Sequence, residues 1–285
     1  LMRDPALKKR LRLRRAAFCA CAFTLAALAV WAFSLRWRGG DGQEPKISPA
    51  PGEAAARFGN TFALCSSTKL RIFGESGELL TELDFAAEKP ALAASAGALA
   101  AWDMGGGSVL VLDAEGNSRR LEAGAPLFDA AVNENALALL SGAETEDCLG
   151  CVTLYGAELE KTLAWYAGTA MPVALELAPD GESFFVLCLA EEGAQLRCIA
   201  AADGAELWRY ESPAPLFDLA VLGGEAVCAV GTEKTVVLDL SGAELQTWEH
   251  ASELSAWEFS DNAAVLRFGE TRVVLDAGGA EVYNE

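Results

Sequence analysis

"VVLDLSGAELQTW", residues 236–248, is the stretch that decides the fold. It consists of an apolar run, a turn rich in Asp, Ser and Gly, and a second run in which polar and apolar residues alternate. Glycine supplies the positive φ that a tight turn needs and aspartate caps its own turn, so the pattern predicts a hairpin of two antiparallel strands. The letters "GAEL" at residues 242–245 recur at 156–159 and 204–207, and "GAEV" occupies 279–282.

The same hairpin pattern recurs along the chain. It is present at residues 71–83, 110–122, 198–210 and 273–285. The copy at residues 152–165 fits less well, because its turn centres either on Gly156 or on the following Ala157 and Glu158. In the second case the "GAEL" of this copy is partly coincidental.

Another hairpin precedes each copy, and it is clearest in the two segments that begin "PLFD", residues 126–140 and 215–230. The turns of these upstream hairpins are marked by Asn60, Gly97, Glu134, Asp180, Gly224 and Asn262. Successive markers are 37 to 46 residues apart. Four strands therefore recur roughly every 40 residues, which is the period of a β-propeller blade.

The sequence therefore predicts an all-β chain that folds as a β-propeller of about six four-stranded blades, or seven if the segment before it supplies extra strands. A β-sandwich needs only about seven strands in total. No part of residues 52–285 shows a sustained apolar stripe of helical period, which argues against an α/β solenoid.

The segment "AAADGAELWRYES", residues 200–212, resembles the repeat of quinoprotein-like (PQQ-like) β-propellers and of the broader WD40 and YVTN group. The resemblance rests on Ala202, Asp203, Gly204 and Trp208, and on Asp239, Gly242 and Trp248. It implies that the tryptophans pack between neighbouring blades. The quinone-dependent enzymes of the group carry adjacent cysteines and a catalytic acid beside calcium, which this sequence lacks, so no cofactor is expected.

Charge is distributed unevenly. Residues 1–38 contain nine Lys/Arg and one acid, whereas the remainder contains 13 Lys/Arg and 40 acids. The uncharged residues 16–35 are long enough to cross a bilayer as a helix, and the bases before them favour a cytoplasmic N-terminus. We expect a basic cytoplasmic tail at 1–15, a transmembrane helix at 16–35, a Gly/Pro-rich stem at 36–51 and the propeller at 52–285. This plan is similar to that of an uncharacterised family of membrane-anchored bacterial propellers.

A cleaved secretory signal is the alternative, because small residues at Ala32 and Ser34 precede Leu35 as a cleavage site requires. In that case the protein is secreted. Either way the acidic propeller is expected outside the cytoplasm. Its charge should repel nucleic acid.

Catalytic motifs are scarce. His250 is the only histidine, which excludes a multi-histidine metal site, and we expect it at the surface. The "MGGGS" at residues 104–108 is a turn between strands and not a phosphate-binding loop. We therefore predict that the protein is not an enzyme, with no catalytic, metal or cofactor site.

Cysteines supply a sharper clue. Cys148 and Cys151 form a C-x-x-C in the longest connection between second and third strands, and outside the cytoplasm the simplest expectation is a local disulfide. Free thiols are one alternative. A thioredoxin-like redox site is another, although the motif lacks the strand-to-helix context that lowers a thiol pKa. Cys188 and Cys198 flank a turn and would pair if they faced each other across it.

The loop at residues 141–151 and the connection at 166–172 are expected at the same end of one blade, because the second-to-third turn and the connection to the next blade open on one face. Variable loops on a rigid scaffold are common binding sites. The candidate recognition patch comprises Glu144, Glu146, Asp147, Trp165 and Tyr166.

Asp129 and Asp218 hold the same place in the two "PLFD" copies and are candidates to face the central channel. Their carboxylates either bond neighbouring backbone or contact a cation or ligand.

The leading hypothesis is a membrane-anchored extracytoplasmic scaffold that binds a protein, peptide or glycan. The alternatives are a carboxylate-dependent extracytoplasmic enzyme acting on polysaccharide or cell-wall material, and a sensor that signals through its short tail.

Overall fold

The computed structural model describes residues 49–143, 147–260 and 262–284. These residues form six four-stranded antiparallel sheets, each built from four consecutive strands. Blade 1 contains β1 (Ala54–Phe58), β2 (Thr61–Cys65), β3 (Lys69–Phe73) and β4 (Leu79–Asp84). Blade 2 contains β5 (Pro90–Ala94), β6 (Ala98–Asp103), β7 (Ser108–Asp113) and β8 (Ser118–Glu122). Blade 3 contains β9 (Leu127–Val132), β10 (Ala136–Ser141), β11 (Cys151–Gly156) and β12 (Lys161–Tyr166).

The second half of the chain repeats the same order. Blade 4 contains β13 (Met171–Leu177), β14 (Ser183–Leu189), β15 (Ala194–Ala200) and β16 (Glu206–Ser212). Blade 5 contains β17 (Leu216–Leu222), β18 (Ala226–Gly231), β19 (Lys234–Asp239) and β20 (Glu244–Glu249). Blade 6 contains β21 (Ala256–Phe259), β22 (Ala264–Phe268), β23 (Thr271–Asp276) and β24 (Gly279–Asn284). First strands of successive blades, from β1 to β17, contact one another, so they are the inner strands. The prediction of six four-stranded blades is confirmed for the described residues.

Apolar residues fill the spaces between successive blades, from blade 1 to blade 6. In β18 all six residues are buried. Val227 and Ala229 belong to the core between blades 4 and 5, whereas Cys228 and Val230 belong to the core between blades 5 and 6. Alternate side chains of a strand point to opposite faces, so one apolar strand contributes to two cores.

The turns after the third strands explain the repeated letters. Gly204 and Gly242 occupy the left-handed region, with φ of 75° and 88°. In blade 3 that place is taken by Leu159, with φ of 61°, so the turn centres on the residues after Gly156 and this "GAEL" is out of register. Gly279 follows Asp276 by three residues, as Gly242 follows Asp239, but it begins β24 and has a φ of 155°.

Tryptophans on the outer strands pack against these glycines. Trp208 donates a hydrogen bond from Nε1 to Leu240 O at 2.9 Å. A Cβ added to Gly242 would lie 2.7 Å from Cδ2 of the same indole ring. Trp248 packs against the core between blades 5 and 6. The implied inter-blade role of the tryptophans is therefore confirmed at Trp208 and Trp248.

No helix among the described residues is long and apolar enough to cross a membrane. The predicted tail, transmembrane helix and nearly all of the predicted stem, up to residue 48, lie outside those residues.

Candidate recognition surface

The long loop of blade 3 and the connection to blade 4 lie side by side. Leu149 N donates to Gly168 O at 2.9 Å, and Ala167 N donates to Gly150 O at 3.0 Å. A side chain at Gly150 would collide with Pro172, which shows how closely the two segments pack. The predicted proximity of the loop and the connection is confirmed.

Two residues of the predicted patch are exposed here. Tyr166, which ends β12, is 57% exposed, and Asp147 in the loop is also exposed. Trp165 is half-buried and points to the opposite face, where its ring centroid lies 6.3 Å from that of Phe184 in blade 4. Its packing there matches a structural role. Glu144 and Glu146 lie outside the described residues.

Sequence reasoning missed two exposed apolar side chains at this end of blade 3. Leu149, between the two cysteines, is 50% exposed, and Phe128, at the start of β9, is 48% exposed. The Phe128 ring lies over the beginning of the loop, since a Cβ added to Gly142 would be 3.6 Å from its Cε2 atom. We define the recognition surface as Phe128, Asp147, Leu149 and Tyr166.

Phe128 belongs to the first of the two "PLFD" motifs, and the second copy shows what is unusual about it. Phe217 follows Pro and Leu in blade 5 just as Phe128 does in blade 3, and both sit at a β-bulge of the inner strand. The Phe217 ring, however, stacks edge-on against Trp257 of blade 6, with centroids 4.7 Å apart. Phe217 is covered by the next blade, whereas nearly half of Phe128 remains open to solvent.

The two "PLFD" aspartates tie adjacent inner strands together. Asp129 accepts hydrogen bonds from Ala130 N at 2.9 Å and from Leu175 N, in blade 4, at 2.8 Å. Asp218 accepts from Leu219 N at 2.9 Å and from Trp257 Nε1, in blade 6, at 2.7 Å. Bonding to neighbouring groups thus accounts for both carboxylates, and a contact with a channel ligand stays a prediction.

The two cysteines of the loop at residues 141–151 are present as thiols. Cys148 and Cys151 are both buried and unpaired, so their disulfide stays a prediction. Cys188 and Cys198 do not face each other, because the hairpin register pairs Cys188 with Gln195. The expectation that they could pair across the hairpin was wrong.

Four carboxyl groups are held in their ionised form, those of Glu78, Asp84, Asp113 and Asp239. Hydrogen bonds from neighbouring side chains lower the pKa of each, which keeps the group ionised at neutral pH and unsuited to donating a proton as a general acid. No cluster of three or more potential metal ligands is found in the described ranges.

His250 lies at the surface, as expected, but its side chain is half-buried. Its Nε2 lies 3.0 Å from Thr235 Oγ1, and its Nδ1 lies 3.1 Å from Thr232 O. Burial lowers the pKa of the imidazole, and the hydrogen bond to Thr232 and the charge of Glu249 oppose this shift.

Comparisons with known proteins agree with this architecture. Residues 44–200 match the model of DUF5711, a family of unknown function. The β-propeller domain of Myceliophteria thermophila Cps50 (Swd1) is 14% identical, with a TM-score of 0.63 over 82% of this chain and 86% of that one. A chain of the Mitotic Checkpoint Complex is 13% identical, with a TM-score of 0.62 over 87% and 86%.

An enzyme also shares the fold. Kuenenia stuttgartiensis Hydrazine Synthase is 12% identical, with a TM-score of 0.60 over 84% of this chain and 80% of that one. At these identities the likeness establishes the propeller fold alone. No curated protein matches the sequence.

Proposed function

We propose that this chain, which belongs to the DUF5711 family of unknown function, is a binding scaffold whose partner is a protein or peptide. The observation that carries the proposal is the exposure of Phe128, Leu149 and Tyr166 at one end of blade 3. Large apolar side chains that project from a rigid sheet lose little conformational entropy on binding, and aromatic ones are frequent hot spots.

The contrast between Phe128 and Phe217 supports a role in binding. Both rings follow the same local sequence and the same bulge, yet only Phe217 is covered by another blade. Packing within the propeller therefore accounts for Phe217 and leaves about half of Phe128 available to a partner.

Charge indicates the chemistry of that partner. Residues 39–285 contain 40 acids and 13 bases, and Asp147 is exposed within the recognition surface. An acidic body attracts basic molecules and steers their approach. We infer a partner segment in which an aliphatic or aromatic anchor is flanked by Lys or Arg.

The location of the scaffold is part of the same proposal. The uncharged residues 16–35 and the bases before them support an anchor with the propeller outside the cytoplasm. A secreted propeller would offer the same recognition surface without the anchor.

Binding can be tested with two matched sets of short synthetic peptides that share a central Leu or Phe and differ only in Lys/Arg or Glu/Asp flanks. Fluorescence anisotropy with the full chain should show binding of the basic set, weakening as salt increases. Phe128→Ala should weaken that binding about tenfold or more. Leu207→Ala is the matched control, because Leu207 is 58% exposed on the outer strand of blade 4.

Equal binding of both peptide sets, or equal losses in both variants, would contradict the proposal. Binding of oligosaccharides in place of peptides, sensitive to Phe128→Ala, would replace the protein partner with a glycan. Turnover of polysaccharide by the full chain would favour the enzyme alternative.

A further inference from the structure

Two buried thiols, those of Cys148 and Cys151, flank the exposed side chain of Leu149. Cys148 Sγ donates a hydrogen bond to Gly150 O at 3.0 Å, and that carbonyl carbon is bonded to the Cys151 nitrogen. Backbone geometry then places the Cys148 sulfur within about 6 Å of Cys151 Cα. A disulfide needs Cβ atoms about 4 Å apart, and the two cysteines lie close enough for a local rearrangement to bring their sulfurs together.

The two thiols also influence each other electrostatically. Burial raises the pKa of the Cys151 thiol, and the adjacent Cys148 adds to the increase. The contact with Thr153 and the charge of Lys161 act in the opposite direction.

The turn between these thiols is attached directly to the rest of the recognition surface. Hydrogen bonds join Leu149 N to Gly168 O and Ala167 N to Gly150 O. Pairing the sulfurs removes the S–H donor to Gly150 O and pulls the ends of the turn together. We expect the backbone that directs the Leu149 side chain to change its conformation as a result.

We propose that Cys148 and Cys151 form a thiol–disulfide exchange site that switches the recognition surface between two shapes. The oxidant is a small-molecule or protein disulfide. The Cys148 thiolate attacks one of its sulfurs, forms a mixed disulfide and releases the first thiolate. The Cys151 thiolate then attacks the Cys148 sulfur and releases the second, and the two protons lost by the cysteines pass to the two leaving thiolates.

Cys65 and Cys188 are less suited to this exchange, because both are fully buried, whereas Cys148 and Cys151 are 9% and 8% exposed. Burial raises the pKa of Cys65 and of Cys188 to about 12, which keeps both protonated. The thiolate is the reactive form, so these groups remain inert while folded. Cys188 pairs in register with Pro172, which packs against Gly150, and it is therefore the nearest competitor for Cys148.

The switch is tested on the full chain in buffers with increasing ratios of oxidised to reduced glutathione. Peptide mapping by mass spectrometry should detect a disulfide between Cys148 and Cys151, with the loss of two hydrogens. Hydrogen exchange at the Leu149 and Ala167 amides should accelerate about tenfold or more in the oxidised form, because the Leu149 amide lies in the rearranged segment and the Ala167 amide donates to its Gly150 carbonyl. Cys148→Ser and Cys151→Ala should abolish both effects, whereas Cys198→Ala should retain them.

Absence of the disulfide at every ratio, or a bond from Cys148 to Cys188 in its place, would overturn the proposal. So would a Cys148–Cys151 disulfide that leaves exchange at both amides unchanged. The biological meaning of the switch rests on the proposed function, but neither readout requires a partner. Peptide binding that fails while the redox readouts hold would overturn the proposed function alone.

Discussion

Replacing Gly242 with alanine tests why this turn position requires glycine. The backbone conformation is one reason, and the close approach of Trp208 from the preceding blade is expected to be a second. Gly242 has a φ of 88°, and a Cβ there would lie 2.7 Å from Trp208 Cδ2. The ring cannot easily retreat, because its Nε1 is bonded to Leu240 O and its centroid lies 5.7 Å from that of Phe185.

The expected cost has two parts. A non-glycine residue in the left-handed region costs about 1–2 kcal/mol. Forcing a methyl group against a well-packed ring costs about 1–3 kcal/mol more. Gly242→Ala should therefore lower the free energy of unfolding by roughly 2–5 kcal/mol.

Gly116→Ala is the matched control. Gly116 lies in the equivalent turn of blade 2 with a φ of 83°, and a Cβ there would meet nothing within 4 Å. This variant should lose only the backbone part, about 1–2 kcal/mol.

The assay is urea unfolding of the full chain, followed by far-UV circular dichroism. Trp208→Ala is added to each glycine variant to complete a double-mutant cycle. The excess cost of Gly242→Ala should disappear in the Trp208→Ala background. Equal costs for the two glycine variants, or an excess that persists without the indole, would refute the reasoning.

Two further predictions concern His250 and the "PLFD" rings. Burial lowers the pKa of folded His250 below 6.5, so the unfolded chain binds the proton first and the free energy of unfolding should fall as the pH drops from 6.5 towards the folded pKa. His250 is the only histidine, so His250→Gln should remove this component of the pH dependence, measured by urea unfolding. The burial argument would be contradicted if the free energy of unfolding changed across that range as much in the His250→Gln variant as in the native chain. Phe217→Ala should lower the free energy of unfolding by about 3–5 kcal/mol through the lost contact with Trp257, whereas Phe128→Ala should lower it by about 1 kcal/mol or less. Similar melting temperatures for the two variants would show that Phe128 is as well packed as Phe217.

The blades were predictable because their signals are local. Alternating apolar residues and turn glycines act over a few residues, so the spacing of markers such as Gly97 and Gly224 was enough to count six units. The same local logic left the blade 3 turn open between two registers, and the structure chose the one that puts Leu159 in the left-handed region. Packing of blade 3 against its neighbours overrides the backbone preference at that one residue.

The recognition surface was only partly predictable. Loop length drew attention to Asp147 and Tyr166, and chain direction correctly placed the loop beside the connection. Trp165 directly precedes Tyr166, but consecutive residues of a strand point to opposite faces, and Trp165 packs against blade 4.

Sequence alone determined the all-β class, the repeat and the place where the repeat is interrupted, because each depends on neighbours along the chain. Only the tertiary structure decided which of the two "PLFD" phenylalanines is exposed. Asp218 reaches Trp257, whose ring also covers Phe217, whereas Asp129 reaches the backbone of Leu175 and Phe128 stays half open. The physical reason is that a side chain in a propeller is covered by the following blade, and the residue that covers it is remote in sequence.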